Sequence, residues 1–438
     1  MLPLRKFIHH RTPFWYACSR GQLRVAQWLL DLGVNDIHTP DNYNRTPLWI
    51  ACARGHLAMA KWLVSNGAIH TLDRNSQSPF SVACQRGHFL TAKWLFDQFD
   101  ININDQDMYA RERDNATALW YAAKSGTPET AEWLIAQGAN LNIRDYHGIS
   151  PIHAACRENH PVAEVLLAHG CALGFTDIMG QTELDAACSS GNLALVQKLV
   201  KLGSSPLRTI AACRGGHLPI VEWLVSQGVP LQPDSYKRTP IWHASITGHV
   251  EMVEWLSSRG ESINAADKDK QTPLFAAVQT QRYDTVKWLL DRDAVKTGDI
   301  YGRSPMNVAC TVGDLRIAQL LHQAGCPIHE EVTFPPIMVA CAHDHFHVGK
   351  WLYSLGELPD LKRLTLDRKI SQVLWFIAEG VPLESPCEAL LRKIETCRQE
   401  FMTFRRIKWP FDPYLAATIA DFAGIFHGKR LHRLTAYV

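Results

Sequence analysis

Residue types able to do chemistry recur at fixed intervals along this 438-residue chain. Eight of its twelve cysteines follow an alanine at one recurring position: Cys18, Cys52, Cys84, Cys156, Cys188, Cys213, Cys310 and Cys341. Thiols in such a row could form a disulfide ladder or ligate metal. Spacing argues against both. Equivalent helices of adjacent units lie about 8–10 Å apart, whereas a disulfide needs Cα atoms within roughly 7 Å. No C-x-x-C occurs to seed a zinc site. These cysteines read as small, buried thiols of a reducing compartment. Histidines recur after a glycine (His56, His88, His217, His249), and His160 follows Asn159. A metal ladder fails on them for the same reason of distance. No serine–histidine–acid or cysteine–histidine set stands apart from the repeat, and no phosphate-cradling glycine loop follows a strand. The sequence therefore predicts no catalytic residue, no cofactor and no metal.

The elements that carry these residues are repeats. Aligning on Thr46-Pro47-Leu48-Trp49-Ile50-Ala51-Cys52-Ala53-Arg54-Gly55-His56 gives eleven copies, starting at Thr12, Thr46, Ser78, Thr117, Ser150, Thr182, Leu207, Thr239, Thr272, Ser304 and Pro335. In most units a Thr or Ser hydroxyl caps the first free N–H groups, and proline suits the first helical position. A short helix follows and stops at a glycine such as Gly21, Gly55 or Gly87. Gln281 departs from that glycine, which leaves the ninth turn open. A second helix, as in Leu57–Val64, ends at another glycine, and a polar link such as Asp41–Arg45 leads to the next cap. One helix pair cannot cover its own apolar faces; stacked pairs can, which predicts a solenoid. Two links are irregular. A long one runs through Asp105–Asp114, and a short one at Gly203–Pro206 replaces the usual finger.

Composition excludes several classes. With 46% hydrophobic and 20% charged residues the chain can bury a core. A net charge of +2 gives no whole-molecule field for nucleic acid or anionic lipid. No run approaches the roughly 18–20 apolar residues that span a bilayer, and the N-terminal apolar run is too short for a secretory signal. The expectation is a soluble monomer, cytoplasmic or nuclear, with no membrane insertion.

The pattern T-P-L-H-x-A-A-x-x-G-H, carried by Ser150-Pro151-Ile152-His153-Ala154-Ala155 and Gly248-His249, resembles the ankyrin repeat over residues 12–356. The resemblance implies an all-α solenoid of about eleven helix pairs with β-hairpin-like fingers, and the glycine-following histidines bonding to loop backbone. It also implies a non-enzymatic scaffold that grips partner proteins by its finger tips and by the two residues before each first-helix glycine. Those two residues supply Arg20, Arg54 and Arg86 in consecutive units. Two readings stand for them: a clamp on an acidic or phosphorylated segment, or simple complement to a helix C-terminus. The finger tips place Tyr43, Arg45, Tyr146, Tyr236, Arg238, Tyr301 and Arg303, residue types enriched at interface cores. A concave array presenting arginine and tyrosine to one or more proteins is the expected arrangement.

Fourteen tryptophans are present, and eight share one slot of the second helix: Trp28, Trp62, Trp94, Trp133, Trp223, Trp255, Trp288 and Trp351. Their regular phase predicts filling of the inter-repeat core. Trp15, Trp49, Trp120 and Trp242 replace the family's histidine. They read as packing, with an aromatic binding surface as the alternative.

Residues 1–11 are a lead-in, and 357–384 a degenerate repeat or connector in which Ser371–Ile377 resembles a relic second helix. Residues 385–438 read as a helical region with nine basic and five acidic side chains, a net of +4. A cap over the last repeat is the first reading. The alternative rests on Trp409-Pro410-Phe411-Asp412 through Phe422, similar to the start of an F-box, which would make the chain a ubiquitin-ligase substrate receptor.

Overall fold

The computed structural model describes residues 10–107, 115–158, 160–205, 208–328 and 335–360, with Leu364, Gln372 and Phe376. The lead-in to residue 9, most of the long link after Asp107, and the whole of 385–438 with its F-box-like start lie outside the described residues. Two compact units divide the chain, Met1–Gln232 and Pro233–Val438. The first holds α1 (Pro13–Ser19), α2 (Leu23–Asp31), α3 (Pro47–Ala53), α4 (Leu57–Ser65), α5 (Pro79–Gln85), α6 (Phe89–Gln98), α7 (Ala118–Ser125), α8 (Pro128–Ala136), α9 (Pro151–Arg157), α10 (Val162–Ala168), α11 (Glu183–Ser190), α12 (Leu193–Lys201), α13 (Ile210–Gly215) and α14 (Leu218–Ser226). The second holds α15 (Pro240–Thr247), α16 (Val250–Ser258), α17 (Pro273–Gln279), α18 (Tyr283–Leu290), α19 (Pro305–Val312), α20 (Leu315–Gln323), α21 (Pro336–Ala342) and α22 (Phe346–Ser354). These are the eleven pairs.

No described helix exceeds ten residues, below the roughly 12–15 needed for marginal stability alone in water. Stacking must supply the rest. The odd-numbered helices form an inner layer: all seven residues of α3 are buried, and it packs on α1 and α5. The even-numbered helices bury one stripe only, as Met59, Ala60 and Leu63 in α4. The expected caps are in place: the hydroxyls of Thr12, Thr46, Ser78, Thr117 and Ser150 each accept the N–H three residues on.

Ten cysteines, including all eight of the recurring slot, are buried and unbridged, and burial pushes the thiols of Cys18 and Cys188 up to about 12. Inert core thiols behave this way.

The glycine–histidine pair is the joint between repeats. Gly21 has φ +66°, and a Cβ there would lie 2.7 Å from Nδ1 of His56 in the next unit. His56 in turn bonds through Nε2 to the Ser19 carbonyl, at 3.2 Å. His217 repeats the arrangement on Ser189 at 3.0 Å. The bond to loop backbone expected from the family resemblance is thus observed across the repeat boundary, onto the end of the preceding first helix. Gln281 keeps the ninth turn by taking φ +60° itself and donating through Nε2 to the Val312 carbonyl.

Fingers are hairpin-shaped turns, and no paired strand occurs among the described residues; one isolated bridge joins Asp107 to Ala116. Six of the described fingers close on an aspartate in the same way. Asp41 accepts from the backbone N–H groups of Tyr43 and Arg45, while its own N–H donates to the Arg45 carbonyl. Asp73, Asp177, Asp234, Asp267 and Asp299 repeat the two-bond clasp. Adjacent tips are stitched by single backbone bonds, such as Arg74 N–H to the Tyr43 carbonyl.

At the short sixth link Glu183 replaces proline at the helix start and is 1% exposed. Its carboxylate accepts from Gly174 N–H and from the Ser204 hydroxyl, tying the link down in place of a finger. The following helix, α13, begins two residues later than the repeat register predicts, because neither a capping hydroxyl nor a proline stands at its expected start. Past the last pair, Phe376 is fully buried against Phe346 and Tyr353, and Gln372 bonds the Cys341 carbonyl.

Candidate protein-binding surface

Arg20, Arg54 and Arg86 are the C-cap residues of α1, α3 and α5, each with its backbone N–H bonded back into its helix. The cap position fixes where each side chain leaves the backbone, and all three residues are exposed. Together they line one groove of about 340 Å³ with Arg11, Trp15, Tyr16, Arg45 and Trp49. Among the described residues no carboxylate pairs with Arg20, Arg54 or Arg86. Arg11 and Arg45 differ: both reach the same Asp41 oxygen, at 3.4 Å from Arg11 Nε and 2.6 Å from Arg45 Nη2. Asp41 is buried, which raises its pKa, but hydrogen bonds from Arg45 and Tyr43 outweigh burial and hold the carboxyl below its usual range. Five guanidinium groups thus line the groove, and only two of them reach the ionised Asp41. Arg11 is a groove residue that the repeat register could not find, since it precedes the first unit.

The finger arginines serve their own fingers. Arg45 stacks over Tyr43 and Trp49 at 4.8 and 5.6 Å. Arg238 pairs with Asp234 at 2.8 Å and lies 4.7 Å from the Tyr236 ring centroid. Arg303 pairs with Asp299 at 2.6 Å and lies 5.4 Å from Tyr301. The tyrosines are what these fingers offer outward: Tyr43, Tyr236 and Tyr301 are 43%, 59% and 71% exposed. Tyr146 is exposed as well, one position nearer its aspartate and without an arginine. Tyr43 belongs to the groove's own finger, Tyr146 to a later finger of the same unit, and the other two to the second unit. Ile178 and Met179 are also exposed tip residues, in the finger beside that of Tyr146, and as apolar side chains they carry no tyrosine or arginine signal in the sequence.

The expectation for the second-helix tryptophans needs correction, whereas the packing reading of the first-helix set agrees with their burial. The second-helix set does not fill the core: Trp28 is 59% exposed, and Trp62, Trp94, Trp133, Trp223, Trp255, Trp288 and Trp351 are half-buried. The residue that follows, as in Leu29, Leu63 and Leu95, takes the core position instead. Successive helical residues point about 100° apart, so only one of the two can face inward. The first-helix set is buried, Trp15, Trp49, Trp120 and Trp242 all being at most 5% exposed. Indole Nε1 of Trp15, Trp49 and Trp120 donates to a carbonyl of the next finger, at 2.9–3.1 Å. These three rings anchor fingers.

A second cavity, about 470 Å³, lies where the long link departs, lined by His70, Phe80, Ser81, Phe99, Asp105 and Asp107 among others. Asp107 is the finger aspartate of that link. Its Oδ1 accepts the Ser81 hydroxyl at 3.0 Å, and its buried Oδ2 has no partner. Burial pushes its pKa up to about 7, opposed by Ser81 and reinforced by Asp73 and Asp105. Among the described residues no cluster of three or more His, Cys, Asp or Glu could hold a metal, and no helix is long and apolar enough to cross a membrane.

The family model described as "Ankyrin repeats (3 copies)" matches residues 4–73, 68–145, 119–210, 203–267 and 259–332. Among solved structures, the human ASB11 ankyrin repeat domain is 26% identical. That match covers 56% of this chain and 99% of the other, with a TM-score of 0.36. No curated protein matches the chain.

Proposed function

The chain belongs to the ankyrin-repeat family, and from that premise we propose that it is a non-enzymatic scaffold holding an acidic segment of a partner protein in the groove of its first three repeats. The observation that carries this is the row Arg20, Arg54 and Arg86, exposed in one groove with no described carboxylate paired to any of them. Helix-dipole complement alone would ask for a cation at a helix end, not for three in successive units converging on one depression. Exposed tyrosines of the fingers add contact area at small entropic cost. Unbridged, buried cysteines suit a reducing compartment, so cytoplasm or nucleus is the proposed location.

Affinity capture from native extract by the full chain and by its R20E/R54E/R86E variant tests the proposal. Partners should be recovered by the first and lost by the second, with unchanged far-UV circular dichroism. Equal recovery would reduce the arginines to helix-end decoration. The ligase-receptor alternative rests on the F-box-like residues alone, and repeating the capture with a chain ending at residue 384 isolates it. Loss of ligase subunits only on truncation would favour that alternative.

A further inference from the structure

Deepening the proposed function, on which it rests, we infer that the groove takes an extended, polyproline-II-like segment carrying a glutamate or aspartate at every third residue. The three arginines occupy the same C-cap position of α1, α3 and α5, which pack side by side. Their anchor points are therefore one helix spacing apart, about 8–10 Å. A polyproline-II chain rises about 3.1 Å per residue with three residues per turn, so positions i, i+3 and i+6 share one face about 9 Å apart. A β-strand does not match. Its same-face positions fall about 7 and 13 Å apart. An α-helix repeats a face near 10 Å at i+7. A helical rod about 10–12 Å across would stand mostly outside a groove of about 340 Å³.

Charge decides the chemistry of the occupant. Arg11 and Arg45 already share Asp41, leaving Arg20, Arg54 and Arg86 to meet three anions. Nothing in the groove lining is acidic. Planar guanidinium forks match carboxylates two bonds at a time. A segment already extended before binding loses less entropy on docking, which favours proline between the acids.

The test is fluorescence anisotropy on the full chain at low salt with two labelled heptapeptides of identical composition. One is Glu-Pro-Pro-Glu-Pro-Pro-Glu; the other is Pro-Pro-Glu-Glu-Glu-Pro-Pro. The first should bind roughly tenfold tighter, since the second can align about one of its acids, at up to ~1 kcal/mol per exposed pair. R20Q, R54Q and R86Q should each weaken the first peptide by roughly threefold, and R316Q in the second unit should leave it unchanged. Equal affinity for the two peptides overturns the inference. So does tighter binding of a helical peptide with acids seven residues apart, or of a single-stranded oligonucleotide. If the charge reversals abolish partner capture while the peptides show no preference, the three-residue register fails and the proposed function stands. If the reversals leave capture unchanged, the proposed function itself falls.

Discussion

Replacing Asp107 by asparagine should stabilise the protein at pH 8 and lose that advantage in mild acid. The folded carboxyl is raised to about 7 from the ordinary 3.8, chiefly by burial. Between those two values the folded state holds a proton that the unfolded chain has released. Stability of the natural protein therefore falls as pH rises from about 4 to about 7, and stays at the lower level above it. At about 1.36 kcal/mol per tenfold step, the gap sets a ceiling of roughly 4 kcal/mol. Relaxation around the cavity lowers that, and the asparagine amide leaves a donor in place of the unpartnered Oδ2, costing about 1 kcal/mol. A net gain of about 1–3 kcal/mol at pH 8 remains, and none or a slight loss near pH 5. For a unit the size of Met1–Gln232 this is a rise of roughly 3–10 °C in Tm. Thermal unfolding of both proteins at pH 5, 6, 7 and 8 measures it. An identical difference in Tm at all four values would refute the reasoning, because it would show the carboxyl titrating alike in both states.

Other outcomes follow from the same structure. His153 is fully buried with neither ring nitrogen hydrogen-bonded, and burial, aided by Arg157, lowers its pKa from 6.5 to about 4. Stability should fall as pH drops from 6.5 toward 4, and His153→Leu should flatten that fall in urea unfolding at pH 7.5 and 5. Gly55→Ala places a methyl 2.5 Å from the His88 ring at φ +72°, whereas Gly67→Ala at φ +93° meets nothing within 4 Å. The first should cost about 3 kcal/mol and the second about 1–2 kcal/mol in urea unfolding. Lys270 holds φ +58° at its finger tip, so Lys270→Gly should raise stability by about 0.5–1 kcal/mol, read as a rise in Tm.

The register, the caps and the inert cysteines were legible in the sequence because each follows from local chemistry. A Ser or Thr before proline bonds its own helix, and a thiol at a small-residue slot has nowhere to go but inward. The second-helix tryptophans were not. Periodicity shows that Trp62 and Leu63 each recur once per unit, but the side facing the neighbour depends on how the helices are rotated in the stack. The arginine row was visible as three letters in register. Its meaning needed geometry: Arg45, at a finger tip, is consumed by Asp41, while Arg54, at a helix end, has no such partner among the described residues. Asp107 likewise looks in sequence like Asp41 and Asp73. It differs in that its buried Oδ2 has no hydrogen-bond partner.

Site-specific photo-crosslinking tests the central claim most directly. A photoreactive phenylalanine analogue in place of Tyr16, beside the arginines, should give protein adducts in cell extract that disappear in the R20E/R54E/R86E background. The same analogue in place of the exposed Met179 serves as the comparison. Adducts from position 179 alone, or adducts at 16 that survive the charge reversals, would contradict a partner held by the arginine groove.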